Sequence, residues 1–260
     1  MTAVGRYGGR AVAALAVLLT AIPPYRLTAQ DSLSWRASTS YGFEAFDGPR
    51  DPWHAASLAL SHHSPKLAVI TQADAYRRFD VTDVGLVADV YTTFRRGSYA
   101  EWRVQYAPDA EVVALLEAGF ELFHAPARGW EFSAGYRYGE YAASVVNVAT
   151  AGAAHYTGNW YLRARGTAVF QGGAEGFSGS LLARRLGSNP DDLAEIQGGL
   201  GQDIVTLGPG LVDLTPTSFV AARWQRRLTT RFGLSVAGSW NRQEGIPDRA
   251  GLTIGLFTRW

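Results

Sequence analysis

Charged side chains recur on one face of short alternating segments, and they are the residues of this chain best suited to chemistry. Within each segment, glutamate and arginine alternate with apolar residues, so the charges share the less apolar face. If that face lies inside a closed sheet, the charges line a lumen. The candidate lumen charges are Glu101, Arg103, Glu117, Glu121, Glu131, Arg137, Arg163, Arg165, Arg184, Glu195 and Arg223.

Two interpretations of these charges stay open. In the first, the glutamates of earlier strands face the arginines of later strands, and the field between them orients a small polar solute. In the second, the same charges are paired and stabilise the barrel wall without any transport. The number of strands does not decide between the two interpretations. Barrels of about eight strands are filled by side chains, whereas barrels of about sixteen to eighteen strands contain a water channel.

The five histidines give little support to metal or acid–base chemistry. There is no histidine pair at i,i+2 and no cysteine, so no metal site and no cofactor are expected. His54 lies close to Asp51 and Ser57, which leaves a hydrolase or acyltransferase at the barrel rim as an alternative. No segment groups a nucleophile, a base and an orienting residue, so we expect the protein not to be an enzyme.

The segments that position the charges read as β-strands, and the last of them is the most informative. In residues 250–260, Leu252, Ile254 and Leu256 share one face with Trp260. An uncovered strand with an apolar face would aggregate in a soluble protein. The strand is therefore predicted to pair with a first strand that begins near Leu33, with its apolar face against lipid. An aromatic final residue also resembles the signal that presents outer-membrane barrels to the barrel assembly machinery.

Alternating segments recur along the whole chain and predict an all-β fold, a closed antiparallel transmembrane β-barrel in an up-and-down meander. Fourteen strands are predicted, or twelve if the weak eighth segment and one neighbour are not strands. The predicted strands cover about residues 33–44, 54–62, 67–79, 84–94, 99–106, 116–123, 130–138, 144–150, 156–170, 177–184, 194–201, 218–225, 232–240 and 250–260.

The longest predicted breaks between strands fall on one side of the barrel. They begin at Pro108 and cover Asp203 to Pro216 and Asn241 to Arg249. If both termini are periplasmic, this is the extracellular side, where outer-membrane barrels carry their longer loops. Tryptophans on the apolar face are predicted to anchor the barrel at the membrane interfaces; they are Trp35, Trp102, Trp130, Trp160, Trp224, Trp240 and Trp260.

The first 29 residues are predicted to be an export signal. Arg6 and Arg10 precede an apolar run from Ala11 to Ile22, and a small-residue cleavage site ends near Ala29. Residues 30–260 then form the barrel domain. They contain no other apolar run near the ~18 residues that a membrane helix needs. The formal net charge of +1 gives no electrostatic reason to expect nucleic acid as a partner.

Several short motifs, in the same order, resemble the YaiO-type outer-membrane β-barrel family. They include Gly97-Ser98-Tyr99-Ala100, Phe120-Glu121-Leu122-Phe123, Trp130-Glu131, Gly158-Asn159-Trp160 and Arg184-Arg185. Leu186 stands where many relatives have an aromatic residue, and the final two strands match loosely. The resemblance implies a location in the outer membrane and no settled activity.

These observations favour an outer-membrane β-barrel in the lipid bilayer that is monomeric and has both ends in the periplasm. The preferred function is a channel or export-associated pore for a small polar or saccharide solute. The first alternative is a filled barrel with a structural or interaction role and no transport. The second is the rim hydrolase or acyltransferase that would use His54.

Overall fold

The computed structural model describes residues 35–208, 211–244 and 246–260, which form fourteen antiparallel strands closed into a barrel. Each strand pairs with its successor, and β1 pairs with β14. The strands are β1 Trp35–Phe46, β2 Trp53–His63, β3 Leu67–Arg78, β4 Val81–Arg95, β5 Ser98–Tyr106, β6 Leu116–His124, β7 Trp130–Tyr141, β8 Ser144–Thr157, β9 Trp160–Gln171, β10 Ala174–Leu186, β11 Leu193–Gly208, β12 Leu211–Arg227, β13 Phe232–Gln243 and β14 Ile246–Arg259. The predicted meander of fourteen strands, rather than twelve, is confirmed.

Alternation of side chains gives the barrel an apolar outer face. Leu181 and Leu200 are 68% and 72% exposed, and the neighbouring positions Leu182 and Gly199 point to the other face. Leu252, Ile254 and Leu256 of β14 are likewise exposed. A continuous apolar surface of this kind is unfavourable in water and suits contact with lipid. Among the residues described, no helix is long and apolar enough to cross a bilayer.

The predicted closure of the barrel by its last strand is confirmed. Ala37 pairs with Thr258 and Phe43 with Leu252, in an unbroken register. Trp35 and Trp260 exchange backbone hydrogen bonds of 3.1 Å in both directions. The pairing satisfies the backbone groups that an open edge would leave exposed to lipid. Leu33 and the predicted export signal in residues 1–29 lie outside the described residues.

Two of the three predicted long breaks are wrong. We call the end of the barrel where β1 begins and β14 ends the terminal end, and the opposite end the distal end. Residues 203–208 and 211–216 continue β11 and β12 as a paired ribbon, and the pairing of β13 with β14 extends as far as Gln243 and Ile246. Of the three, only residues 107–115, at the distal end, form a loop. Of the three predicted breaks, this loop alone therefore supports the prediction that the longer connections lie at one end of the barrel.

The eighth strand is longer than predicted and extends from Ser144 to Thr157 without a break. Residues 149–154, in its middle, are all alanine, glycine or threonine, which carry little hydrophobic signal of their own. Pairing with both neighbours keeps them extended, with Ala149 opposite Tyr136 of β7 and Ala168 of β9. Tertiary pairing here decides what local pattern leaves ambiguous.

Candidate functional site: the inner wall of the barrel

The eleven predicted lumen charges all lie on the face opposite the exposed aliphatic and aromatic residues. Contacts between strands that are not neighbours identify this face as the inner one. Arg163 of β9 reaches Glu121 of β6, and Tyr99 of β5 reaches Glu131 of β7. Side chains of non-adjacent strands converge on the concave side of a closed sheet and diverge on the convex side. The polar face is therefore the lining of the barrel.

The first group of inner charges runs across four successive strands. Arg103 of β5 donates from Nη1 to Asp89 of β4 at 2.9 Å and from Nε to Glu117 of β6 at 3.1 Å. Arg137 of β7 lies 3.5 Å from the same Glu117 oxygen. Two guanidinium groups and two carboxylates thus form one chain of ion pairs along the wall. Such pairing satisfies the charges and ties β4 to β7.

The second group centres on Glu121 of β6, which binds two arginines of β9. Arg163 donates to one oxygen and Arg165 to the other, the latter at 2.9 Å. The intervening strands carry small inner residues below this bridge. A Cβ at Gly152 would lie only 2.7 Å from Ser133 Oγ and in van der Waals contact with Arg163 Nε at 3.4 Å, so the guanidinium lies directly over this part of the wall. The bridge consequently follows the wall across β7 and β8.

A third set of inner charges is buried in part or completely. Glu131 accepts hydrogen bonds from the hydroxyls of Tyr99 and Tyr161, and it is buried. Arg184 and Glu195 form a buried ion pair between β10 and β11, and Arg223 of β12 pairs with Glu195 in the strand register. Glu101 is only partly exposed.

At the terminal end, a connecting turn brings Asp191 into the barrel, where three arginines surround its carboxylate. Arg259 of β14 approaches Oδ1 at 3.1 Å, Arg36 of β1 approaches it at 3.5 Å, and Arg227 of β12 lies 3.9 Å from Oδ2. Gln225 also donates from Nε2 to the backbone oxygen of Asp191 at 2.7 Å. The turn 187–192 is therefore fixed over the inner edge of this end. We call these residues the Asp191 cluster.

At the distal end, the loop 107–115 is held against the inner wall. Asp83, an inner residue of β4, accepts backbone hydrogen bonds from Glu111, Val112 and Val113 at 2.7 to 3.1 Å. Ala107, which is fully buried, lies beside the inner glycine Gly85. One carboxylate thus satisfies three successive amides and fixes the loop inside the mouth.

The ribbon that continues β11 and β12 also bends inward at the distal end. Gly201 has a φ of 141°, and β10 stops pairing with β11 at this residue. A Cβ here would lie 2.3 Å from the backbone oxygen of Phe177, so the bend requires glycine. Beyond it, Ile204 packs with inner valines of β8 and β9, with Leu214 against the same cluster.

A further inner cluster at the distal end was not predicted from the sequence. Trp53 is buried on the inner face, and the guanidinium carbons of Arg78 and Arg249 each lie 5.2 Å from its ring. Arg249 lies 3.5 Å from Glu44 and donates to Gln243 at 3.1 Å. Cation–π contacts and this ion pair join β2 and β3 to β13 and β14.

The seven predicted interface tryptophans are all exposed on the outer face. Trp240 lies near the distal end, and Trp102 lies at the middle of β5, where its Nε1 donates to Thr92 at 3.3 Å. Five of them surround the terminal end: Trp35, Trp130, Trp160, Trp224 and Trp260. A ring of indoles at one level has the arrangement of an interfacial aromatic girdle.

His54 has no catalytic surroundings. Its Nδ1 is 2.7 Å from the Tyr41 hydroxyl on the outer face, whereas Ser57 binds Ser40 on the inner face. The structure thus separates His54 from the serine that a rim hydrolase would need. In the part of the chain that the structure describes, no group of three potential metal ligands occurs.

The sequence pattern assigned charges to faces but did not identify their partners, and it missed several inner residues. Arg36 and Arg259 alternate correctly on the polar face of the first and last strands, which is a signal that could have included them. Asp191 lies in a turn, where alternation gives no direction. The inner residues outside the predicted set include Arg36, Trp53, Arg78, Asp83, Asp89, Asp191, Arg227, Arg249 and Arg259.

Comparison with known proteins places this geometry in a family. The family model described as the YaiO membrane beta barrel domain matches residues 35–203, about two thirds of the chain. A search of curated proteins finds no match.

Solved structures resemble the chain in fold. The CymD monoaromatic hydrocarbon channel superposes with a TM-score of 0.60 and 8% identity over 87% of this chain and 88% of that chain. A bacterial polysaccharide outer membrane secretin gives 0.56 and 6% over 87% and 98%. The COG4313 outer membrane channel from Pseudomonas putida F1 gives 0.54 and 11% over 92% and 100%. At these identities the likeness is one of fold alone.

Proposed function

Because the chain belongs to the YaiO membrane beta barrel domain family and forms a closed outer-membrane β-barrel, we propose that it is a narrow channel for small polar or saccharide solutes. The distal end faces the outside of the cell and the terminal end faces the periplasm in this proposal. The exported chain, after cleavage of its signal near Ala29 and insertion by the barrel assembly machinery, acts as a monomer.

One observation carries the proposal: solvent reaches inner charges near the middle of the barrel. The side chain of Arg137 is 40% exposed and that of Arg165 is 28% exposed, although both point to the inside. Arg165 is the sixth of twelve residues of β9, far from either end. A barrel filled by side chains would bury these guanidinium groups as completely as it buries Arg184. This exposure supports an open space beside the wall charges.

The solved barrels of similar fold support a channel without selecting its solute. Two of them are described as channels, for a monoaromatic hydrocarbon in one case, and a third as a polysaccharide outer membrane secretin. The inner wall of the present chain is lined by paired carboxylates and guanidinium groups, which interact better with hydroxyl-rich or charged solutes than with hydrocarbons. This chemistry favours the polar or saccharide solute.

A filled barrel is the second candidate function, and the distal end favours it. The loop 107–115 and the ribbon of β11 and β12 both fold toward the inside there. Together they narrow the mouth and could exclude every solute. In that case the paired charges serve only to stabilise the wall.

Single-channel recording of the purified, folded protein in planar lipid bilayers tests the channel. We expect discrete current steps, smaller than those of barrels with about sixteen to eighteen strands, because fewer strands enclose a narrower lumen. Replacement of Arg165 by glutamine should change the step size. The matched control is Arg185→Gln, because Arg185 is exposed on the outer face of β10. Folded protein that inserts but carries no current would exclude the channel and support the filled barrel.

A further inference from the structure

The charges at the terminal end are distributed unevenly between the two signs. In the described part of the chain, the inner wall formed by the terminal halves of β10 to β12, β14 and β1, together with the turn 187–192, carries five guanidinium groups and three carboxylates, a formal excess of two positive charges. They are Arg36, Arg184, Arg223, Arg227 and Arg259 against Asp191, Asp192 and Glu195.

The positive charges are also the more accessible ones. In the Asp191 cluster the arginine side chains are 13% to 16% exposed, whereas the side chain of Asp191 is 1% exposed. Further inside, Arg137 is three times as exposed as its partner Glu117, 40% against 13%, whereas Arg163 and Glu121 are about equally exposed, 9% and 10%. At the Asp191 cluster and beside Arg137, a permeating ion therefore meets guanidinium groups first, with the carboxylates behind them.

The facing wall does not reverse this balance. Glu131 is covered by two tyrosine hydroxyls, and Glu121 binds two arginines. Among the predicted lumen carboxylates near the terminal end, Glu101 is the one that is partly exposed. Inside a low-dielectric wall, a small excess of accessible charge of one sign concentrates counter-ions of the other.

We infer that the terminal end is an anion-selective constriction, formed by Arg36, Arg227 and Arg259 around Asp191, and that the solutes are small anions with carboxylate or phosphate groups. The inference rests on the proposed channel function and adds the class of solute. Guanidinium groups bind carboxylates and phosphates through paired hydrogen bonds, so carboxylated sugars fit this end better than neutral sugars. Asp191 is itself a carboxylate around which the three arginines gather, at 3.1 to 3.9 Å.

The reversal potential across a KCl gradient in planar bilayers measures the selectivity. We expect chloride to permeate several-fold more readily than potassium, and glucuronate added to one chamber to reduce the chloride current, whereas glucose at the same concentration does not. Asp191→Asn should raise the preference for chloride, and Arg227→Gln should lower it. The matched control is Arg226→Gln, which removes the same charge from the outer face of β12 and should leave the preference unchanged.

The outcomes separate the two proposals. Absence of any current contradicts the channel itself. Current that is unselective or prefers potassium leaves the channel intact and overturns the anion-selective constriction. Equal effects of Arg227→Gln and Arg226→Gln on the reversal potential would also overturn it, because the selectivity would then not arise at the inner wall.

Discussion

Single charged residues inside the barrel affect its stability mainly through their ion-pair partners. Glu121 is the clearest case, since its two oxygens are held by Arg163 and Arg165 and its side chain is only 10% exposed. Removal of one charge from a buried network leaves its partners buried without a counter-charge. The stability lost in this way exceeds the stability that the whole network provides relative to apolar side chains in the same place. The inner ion pairs thus stabilise the wall while they also line the lumen.

Replacement of Glu121 by glutamine should lower the free energy of unfolding by about 3 kcal/mol, because two arginines then lack a counter-charge. Urea titration of the protein in lipid vesicles, followed by tryptophan fluorescence, measures the change. Glu140→Gln is the matched control, since Glu140 is exposed on the outer face of β7. The control should change stability by less than about 0.5 kcal/mol. Equal effects of the two substitutions would show that the Glu121 network contributes nothing to stability.

The sequence predicts the face of each charge but not its ion pair. Alternation with a period of two assigns Arg163 and Glu121 to one face as soon as their strands are identified. Their pairing depends on register, on the curvature of the closed wall and on small residues such as Gly152, which are properties of several strands at once. Asp191 was not predicted because a turn has no alternation from which to infer a direction.

Among the elements, the distal loop 107–115 is the one whose position depends most on a single side chain. Asp83 holds three of its amides, and no regular strand pairing fixes that part of the loop. Asp83→Ala should release the loop from the inner wall. A glutamyl endopeptidase should then cut the folded protein after Glu111 several-fold faster than it cuts the unchanged protein.

The matched control for the loop is Asp80→Ala, because Asp80 lies at the same end of the barrel and is exposed. This substitution should leave the cleavage rate unchanged. A loop that stays resistant in Asp83→Ala would show that the buried residues Ala107, Ala110 and Val112 hold it without the carboxylate.

The strand boundaries show where sequence patterns succeed and where they fail. Clear alternation located β7 and β13, whose starts at Trp130 and Phe232 agree with the prediction. Turn-forming residues in 203–216 predict a loop, although β11 and β12 remain paired there. Two strands can remain hydrogen-bonded beyond the part that carries an alternating apolar face. The hydrophobic pattern in the sequence therefore ends before the paired strands end.

At the scale of the whole molecule, closure of the sheet separates two environments. The pairing of β1 with β14 removes the last open edge, and alternation then places the exposed aliphatic residues on the outside and the ion-paired charges on the inside. The closed barrel is predictable because apolar and polar side chains alternate with a period of two residues in every strand. The narrowing of both ends is not, because it depends on a turn, a loop and a bent ribbon.

The central claim is that the inner face is wet and the outer face is in contact with lipid, and cysteine labelling tests it directly. The chain has no cysteine, so single cysteines can replace Ser180 or Ser235 on the inner face and their neighbours Leu181 or Leu234 on the outer face. In lipid vesicles, a charged, membrane-impermeant thiol reagent should modify the two inner positions and spare the two outer ones. Inner positions that resist the reagent, or outer positions that react equally fast, would contradict a water-filled barrel in the membrane.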